Sequence, residues 1–130
     1  MRIVFCEDEP TIRKLIELAL RGSPHDYRMA ADGVEALELV RRWRPDVLIT
    51  DFAMPGMDGF QLAGAVRADP ELSGLGIVFM SASVPRDMEE RTGEFSPVAH
   101  LRKPFGPAAL RELLRSLSED SGTLPAGRGA

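Results

Sequence analysis

Only one cysteine, Cys6, occurs in the chain, so no internal disulfide can hold the fold together. It follows Ile3, Val4 and Phe5 in an apolar run, where it reads as a small buried hydrophobe, and the lack of disulfides suits a reducing compartment. Positive charge is not in excess either: 16 Lys and Arg stand against 20 Asp and Glu, a net charge of -4. Nucleic acids and anionic membranes need a basic surface, so neither is an expected direct partner. Long apolar runs are also missing. Met1-Arg2-Ile3-Val4-Phe5 gives way to Glu7-Asp8-Glu9 before a signal-peptide core can form, and no stretch approaches membrane-spanning length. A soluble, cytoplasmic protein is expected.

What is present suits one domain: 130 residues, 44% of them hydrophobic, are enough for a core. The chain is organised around Pro45 to Gly59. Val47-Leu48-Ile49 is a short apolar run bounded by Pro45 and by Pro55-Gly56, as expected of a strand buried on both faces, and Asp51 falls where it ends. Met54-Pro55-Gly56-Met57-Asp58-Gly59 cannot continue a strand, and Asp58 is placed to cap the next helix.

In chain order, Ile3–Cys6 predicts a first strand, with Pro10 in the first turn of a helix. Ile12, Leu15, Ile16, Ala19 and Leu20 give that helix its apolar face, and Gly22-Ser23-Pro24 ends it. A weak strand over Tyr27–Ala30 precedes a helix capped by Asp32, with Val34, Ala36, Leu37, Val40 and Trp43 expected on its inner face. Arg41, Arg42 and Arg44 at its end complement the helix dipole, and Trp43 should lie away from the rim that carries Asp51. Phe60, Leu62, Ala63 and Val66 form a third helix that Asp69-Pro70 ends. Ile77–Met80 is a fourth strand, running into Ser81-Ala82-Ser83. Arg86–Arg91 allows a short helix before Gly93, Ser96 and Pro97 interrupt it. Val98–Leu101 predicts a fifth strand, and Leu110, Leu113, Leu114 and Leu117 a final helix. The expected domain is 1–117, with a disordered tail over 118–130.

Strands alternating with helices imply an α/β fold, a doubly wound parallel sheet with helices on both faces. Such a sheet gathers its strand ends on one rim, where ligands bind. Glu7 and Asp8, Asp51, Ser81 and Lys103 each follow a strand. Singly, these could be a helix-start charge pair, a strand-end acid, a loop hydroxyl and a solvated cation; jointly they are the groups that phosphoryl chemistry on a carboxylate requires.

With these residues in view, the chain resembles the receiver domains of two-component response regulators (CheY-like) over nearly all of residues 2–117. Glu7-Asp8-Glu9-Pro10 resembles their acidic pair, Asp51 to Gly59 the phosphoacceptor loop, Ser81-Ala82 the hydroxyl-Ala switch, and Lys103-Pro104-Phe105 the Lys-Pro-Phe motif. The resemblance implies a flavodoxin-like (βα)5 fold with strand order 2-1-3-4-5, for which CheY is itself a standard example. It also implies Asp51 as phosphoacceptor. Mg²⁺ (or Mn²⁺) would sit on Asp8, Asp51 and the backbone carbonyl of Ala53, with Glu7 acting through water. Lys103 would supply a second positive charge, and Ser81 would move toward the phosphoryl group.

In the family an aromatic side chain on the fifth strand then changes position and alters an output surface; here His100, three residues before Lys103, holds that place. The implied partners are a sensor histidine kinase or histidine phosphotransfer protein and a downstream protein target or output domain. No output domain follows Leu117, so a stand-alone receiver or an excised domain is expected. Two alternatives are a receiver-like interaction module that works without phosphate, and an aspartate-nucleophile phosphohydrolase. The second is disfavoured because Ala53 stands where a second acid is needed.

Overall fold

The alternating burial of the strands decides the layering. In β1 (Arg2–Cys6), Ile3 and Phe5 point to one side of the sheet and Val4 and Cys6 to the other, all of them fully buried. The same division recurs in β3 (Val47–Asp51) and β4 (Gly76–Ser81), whose core side chains join two separate clusters, one on each face. A sheet buried on both faces must be covered by helices twice, which parallel strands with crossover helices achieve. The computed structural model describes residues 1–54, 56–72, 74–82 and 99–119. Its five strands are parallel, in the order β2-β1-β3-β4-β5, with β2 at Asp26–Ala30 and β5 at Ala99–Arg102. This is the expected flavodoxin-like order.

Helix α1 (Pro10–Leu20) packs with the last described helix, α4 (Pro107–Glu119), on the face that holds Ile3, Phe5, Ile49 and Met80. Helices α2 (Gly33–Trp43) and α3 (Gly59–Ala68) cover the other face. Local chemistry sets the helix starts. Pro10 occupies the first turn of α1, and the Asp32 side chain accepts from the Glu35 amide at 2.8 Å. Asp58 and Gln61 form a reciprocal capping box at α3, with both bonds within 2.9 Å.

Three expectations need correction or extension. Val34 was placed on the inner face of α2 but is 55% exposed. The buried positions are Gly33, Ala36, Leu37 and Val40, and Gly33 takes the inner place because Met57 packs directly on it: a Cβ there would lie 2.5 Å from the Met57 carbonyl oxygen. The final helix continues through Ser118 and Glu119, two residues beyond the expected end of the domain. After α3, Pro70–Leu72 forms a 3-10 turn rather than a plain break. Ser83, the expected helix over Arg86–Arg91, the first residue of the expected fifth strand and the tail from residue 120 lie outside the described residues.

Candidate functional site

The parallel sheet brings the carboxyl ends of β1, β3, β4 and β5 to one rim. Asp51 is the last residue of β3 and pairs in register with Met80, so Ser81 lies one residue further along the neighbouring strand. Ser81 is buried and its carbonyl accepts from the Lys103 amide at 2.7 Å, which fixes the turn leaving β5 against the end of β4. The Lys103–Pro104 peptide is cis. From this turn the Lys103 ammonium reaches across the rim, donating to Asp51 Oδ2 at 2.9 Å and to Glu7 Oε1 at 2.5 Å. One cation therefore bridges two acids that leave different strands.

Glu7, Asp8 and Asp51 each offer an oxygen to a common point, those atoms lying within 4.8 Å of one another. Glu7 is fully buried, Asp51 half-buried and Asp8 exposed, so the cluster opens toward solvent on the Asp8 side. Burial pushes the Glu7 carboxyl up to about 7, with Asp51 adding to the rise while Lys103 opposes it. Burial alone would lower the Lys103 ammonium, but its bonds to Glu7 and Asp51 outweigh that and hold it above the ordinary lysine value. Glu7 Oε2 is buried and has no hydrogen-bond partner among the described residues. An unpartnered buried oxygen beside two more carboxylates is a donor set that suits a hard divalent cation, which takes oxygen ligands.

The remaining expected residues divide. Ala53 is exposed, two residues after the end of β3. His100 is exposed on β5 opposite Phe79, the two rings 6.1 Å apart, and Phe79 stacks on Phe52, the neighbour of Asp51, at 5.0 Å. His100 thus belongs to an aromatic row beside the site and not to the charged cluster. His25 lies near Met1 and Ser23, outside it as well. Cys6 is buried with its thiol pushed up to about 12, and it donates to Met54 Sδ at 3.1 Å, in keeping with a packing role.

Two features escaped sequence reasoning. Glu7 faces Lys103 directly, and the loop leaving β3 returns so closely that a Cβ on Gly59 would lie 2.1 Å from the Asp51 carbonyl oxygen. The only sequence signal for the second was a glycine directly after the Asp58 cap.

This fold, with an acid and amine cluster at the strand ends, defines a flavodoxin-like α/β domain with a charged site on the rim of its sheet. The chain belongs to the response regulator receiver domains, whose family model matches residues 3–115. It is 31% identical over 120 residues to the chemotaxis protein CheY-3 of Vibrio cholerae, covering 92% of each chain. It is 32% identical over 115 residues to the DNA-binding response regulator MtrA of Mycolicibacterium smegmatis, covering 88% of this chain and 49% of that one. The chain thus spans about half the length of the MtrA relatives it matches.

Among solved structures, Vibrio cholerae CheY4 superposes with a TM-score of 0.82 at 28% identity, covering 88% of this chain and 96% of that one. The receiver domain of the Pseudomonas aeruginosa sensor histidine kinase PA1611, solved with a magnesium ion coordinated in its active site cleft, gives 0.78 at 27% identity, with coverages of 88% and 94%. The chain is therefore a receiver domain of two-component signalling, a class whose standard role is that of a phosphoacceptor switch.

Proposed function

We propose that Asp51 is the phosphoacceptor of this switch and that Lys103, Ser81 and the acids Glu7 and Asp8 serve it. The observation that carries this assignment is the Lys103 ammonium bridging Asp51 and Glu7 at the open rim of the sheet. A phosphohistidine on a sensor kinase or phosphotransfer protein is the donor. An Asp51 carboxylate oxygen forms a bond to phosphorus as the donor's P–N bond breaks, and the imidazole leaves with that electron pair and takes up a proton.

Asp8, Asp51 and the Ala53 carbonyl would hold Mg²⁺ or Mn²⁺, with Glu7 reaching it through water. When bound, the cation supplies charge that offsets the transferring phosphoryl oxygens. Lys103 supplies positive charge on Asp51 from the β5 side, and the Ser81 hydroxyl donates to a phosphoryl oxygen of the product. The chemistry is confined to the chain's own phosphorylation and dephosphorylation, so it acts as a switch and turns over no separate substrate. Its output passes through protein contacts to a downstream target or output domain, with His100 on the exposed edge of β5 as part of the responding surface.

No described helix is long and apolar enough to cross a membrane; a cytoplasmic location is part of this proposal and follows from the kinase as partner. The domain that carries this function is residues 1–117 together with Ser118 and Glu119, which complete α4. The test is to incubate the protein with Mg²⁺ and acetyl phosphate and to measure intact mass. One added phosphoryl group is expected, lost in Asp51→Asn; no added mass under these conditions would favour an interaction module that works without phosphate.

A further inference from the structure

We propose that Thr50 and Gly59 are positioning residues that fix the Asp51 peptide, and through it the Asp51 carboxylate and the Ala53 carbonyl. This goes beyond the phosphoacceptor assignment but rests on it.

Thr50 is one of three fully or nearly fully buried polar residues among the described ones, and the phosphoryl chemistry uses the other two, Glu7 and Ser81. Its hydroxyl donates to the carbonyl oxygen of Asp51 at 3.0 Å. The same oxygen is approached by Gly59, where a Cβ would lie 2.1 Å from it and 3.0 Å from both the Asp51 carbonyl carbon and the Phe52 Cα. No side chain fits there without moving the backbone of the acceptor residue itself. The Gly59 amide donates to the Phe52 carbonyl at 2.8 Å, and the Asp58–Gln61 capping box holds the first turn of α3 in place behind it. Met54 is tied to the same neighbourhood, its sulfur accepting from Cys6, which stands opposite Thr50 in the β1·β3 register and is itself hydrogen-bonded with the Thr50 side chain.

The run from Asp51 to Gly59 is therefore anchored at Asp51, Phe52, Met54 and Gly59, and Ala53 lies between anchors. A shift of the backbone at Asp51 would move the Cα that carries the carboxylate and swing the next carbonyls along the chain. The Lys103–Asp51 contact of 2.9 Å leaves little room for that movement. Groups that orient ligands and reacting atoms in this way act through geometry, to which transfer rates and metal affinity are both sensitive.

Gly33 provides a matched comparison. A Cβ there would collide with the Met57 carbonyl oxygen at 2.5 Å, pushing the same loop at its far end without touching Asp51. The experiment uses the full chain and the variants Thr50→Val, Thr50→Ser, Gly59→Ala and Gly33→Ala. It records the Mg²⁺ dissociation constant by calorimetry, the phosphorylation rate with acetyl phosphate at saturating Mg²⁺, and the thermal midpoint.

Thr50→Val and Gly59→Ala are expected to weaken Mg²⁺ binding by about tenfold. They should also slow phosphorylation by about tenfold to a hundredfold. Thr50→Ser, which keeps the hydroxyl, should behave as the unaltered chain, and Gly33→Ala should lower the midpoint while leaving the Mg²⁺ constant unchanged. Wild-type affinity and rate in folded Thr50→Val would overturn the proposal, as would a Gly33→Ala loss of affinity equal to that of Gly59→Ala. If Gly59→Ala does not fold, the Thr50 pair decides. An unaltered chain that neither binds Mg²⁺ nor takes up phosphate would overturn the phosphoacceptor assignment and these roles together, a failure visible before any variant is made.

Discussion

The two ends of the sheet use the same residue types to opposite effect. At the carboxyl end, three acids converge with one lysine, Glu7 is fully buried, and one of its oxygens has no partner among the described residues. At the amino end, Arg41 pairs with Asp69 at 3.5 Å and Arg44 with Glu71 at 2.8 Å, while Arg2 and Arg28 each lie 4.5 Å over the Trp43 ring. Both ion pairs have arginines that are about half exposed. The amino end is thus charge-matched and solvated, whereas the carboxyl end is acid-rich and partly desolvated. Crowded, under-compensated acids cost stability, and this imbalance is the feature that supports the proposed cation and phosphoryl site.

The contrast is broken or sharpened most strongly by Lys103→Met. It leaves Glu7 buried without its cation, and unfolding in urea without divalent metal should show a loss of about 3–5 kcal/mol. A loss no greater than that of a surface pair would erase the distinction between the two ends. An intermediate effect is expected from pH. Because burial raises the folded Glu7 carboxyl from 4.5 to about 7, the folded state holds this proton more tightly than the unfolded chain does. The Glu7 contribution is therefore fully present below pH 4.5 and is lost as pH rises to about 7, in metal-free protein. Thermal midpoints across that window should fall with rising pH, and Glu7→Gln should flatten the slope; an unchanged slope in Glu7→Gln would assign it elsewhere.

The smallest effects belong to the amino end. Arg41→Ala should change stability by less than about 1 kcal/mol, as exposed pairs do. Trp43 fluorescence should hardly respond to Mg²⁺, because the ring packs beside Arg2, the first residue of β1, and Arg28, midway along β2; strong quenching would place metal binding at the wrong end.

Much of the fold was legible because its determinants are local. Pro10, Asp32 and Asp58 marked helix starts within a few residues of the groups they satisfy, and the apolar spacing of α1 and α4 identified their buried faces. Val34 was misplaced because periodicity counts apolar side chains, while the inner position belonged to a glycine chosen for the room that Met57 needs. The candidate site was legible as residue types at strand ends, and its ordering along the chain matched a family. Its internal pairing was not.

By itself, the sequence determined the alternation of strands and helices, the helix caps and the supply of acids, hydroxyl and amine to the ends of strands, because each depends on neighbours a few positions away. Only the tertiary structure decided that Lys103 would meet Glu7, 96 residues earlier, that one Glu7 oxygen would be left unpartnered, and that Gly59 would press on the Asp51 carbonyl. Those outcomes follow from β1, β3 and β5 being set side by side in a parallel sheet. Distance along the chain carries no record of that adjacency.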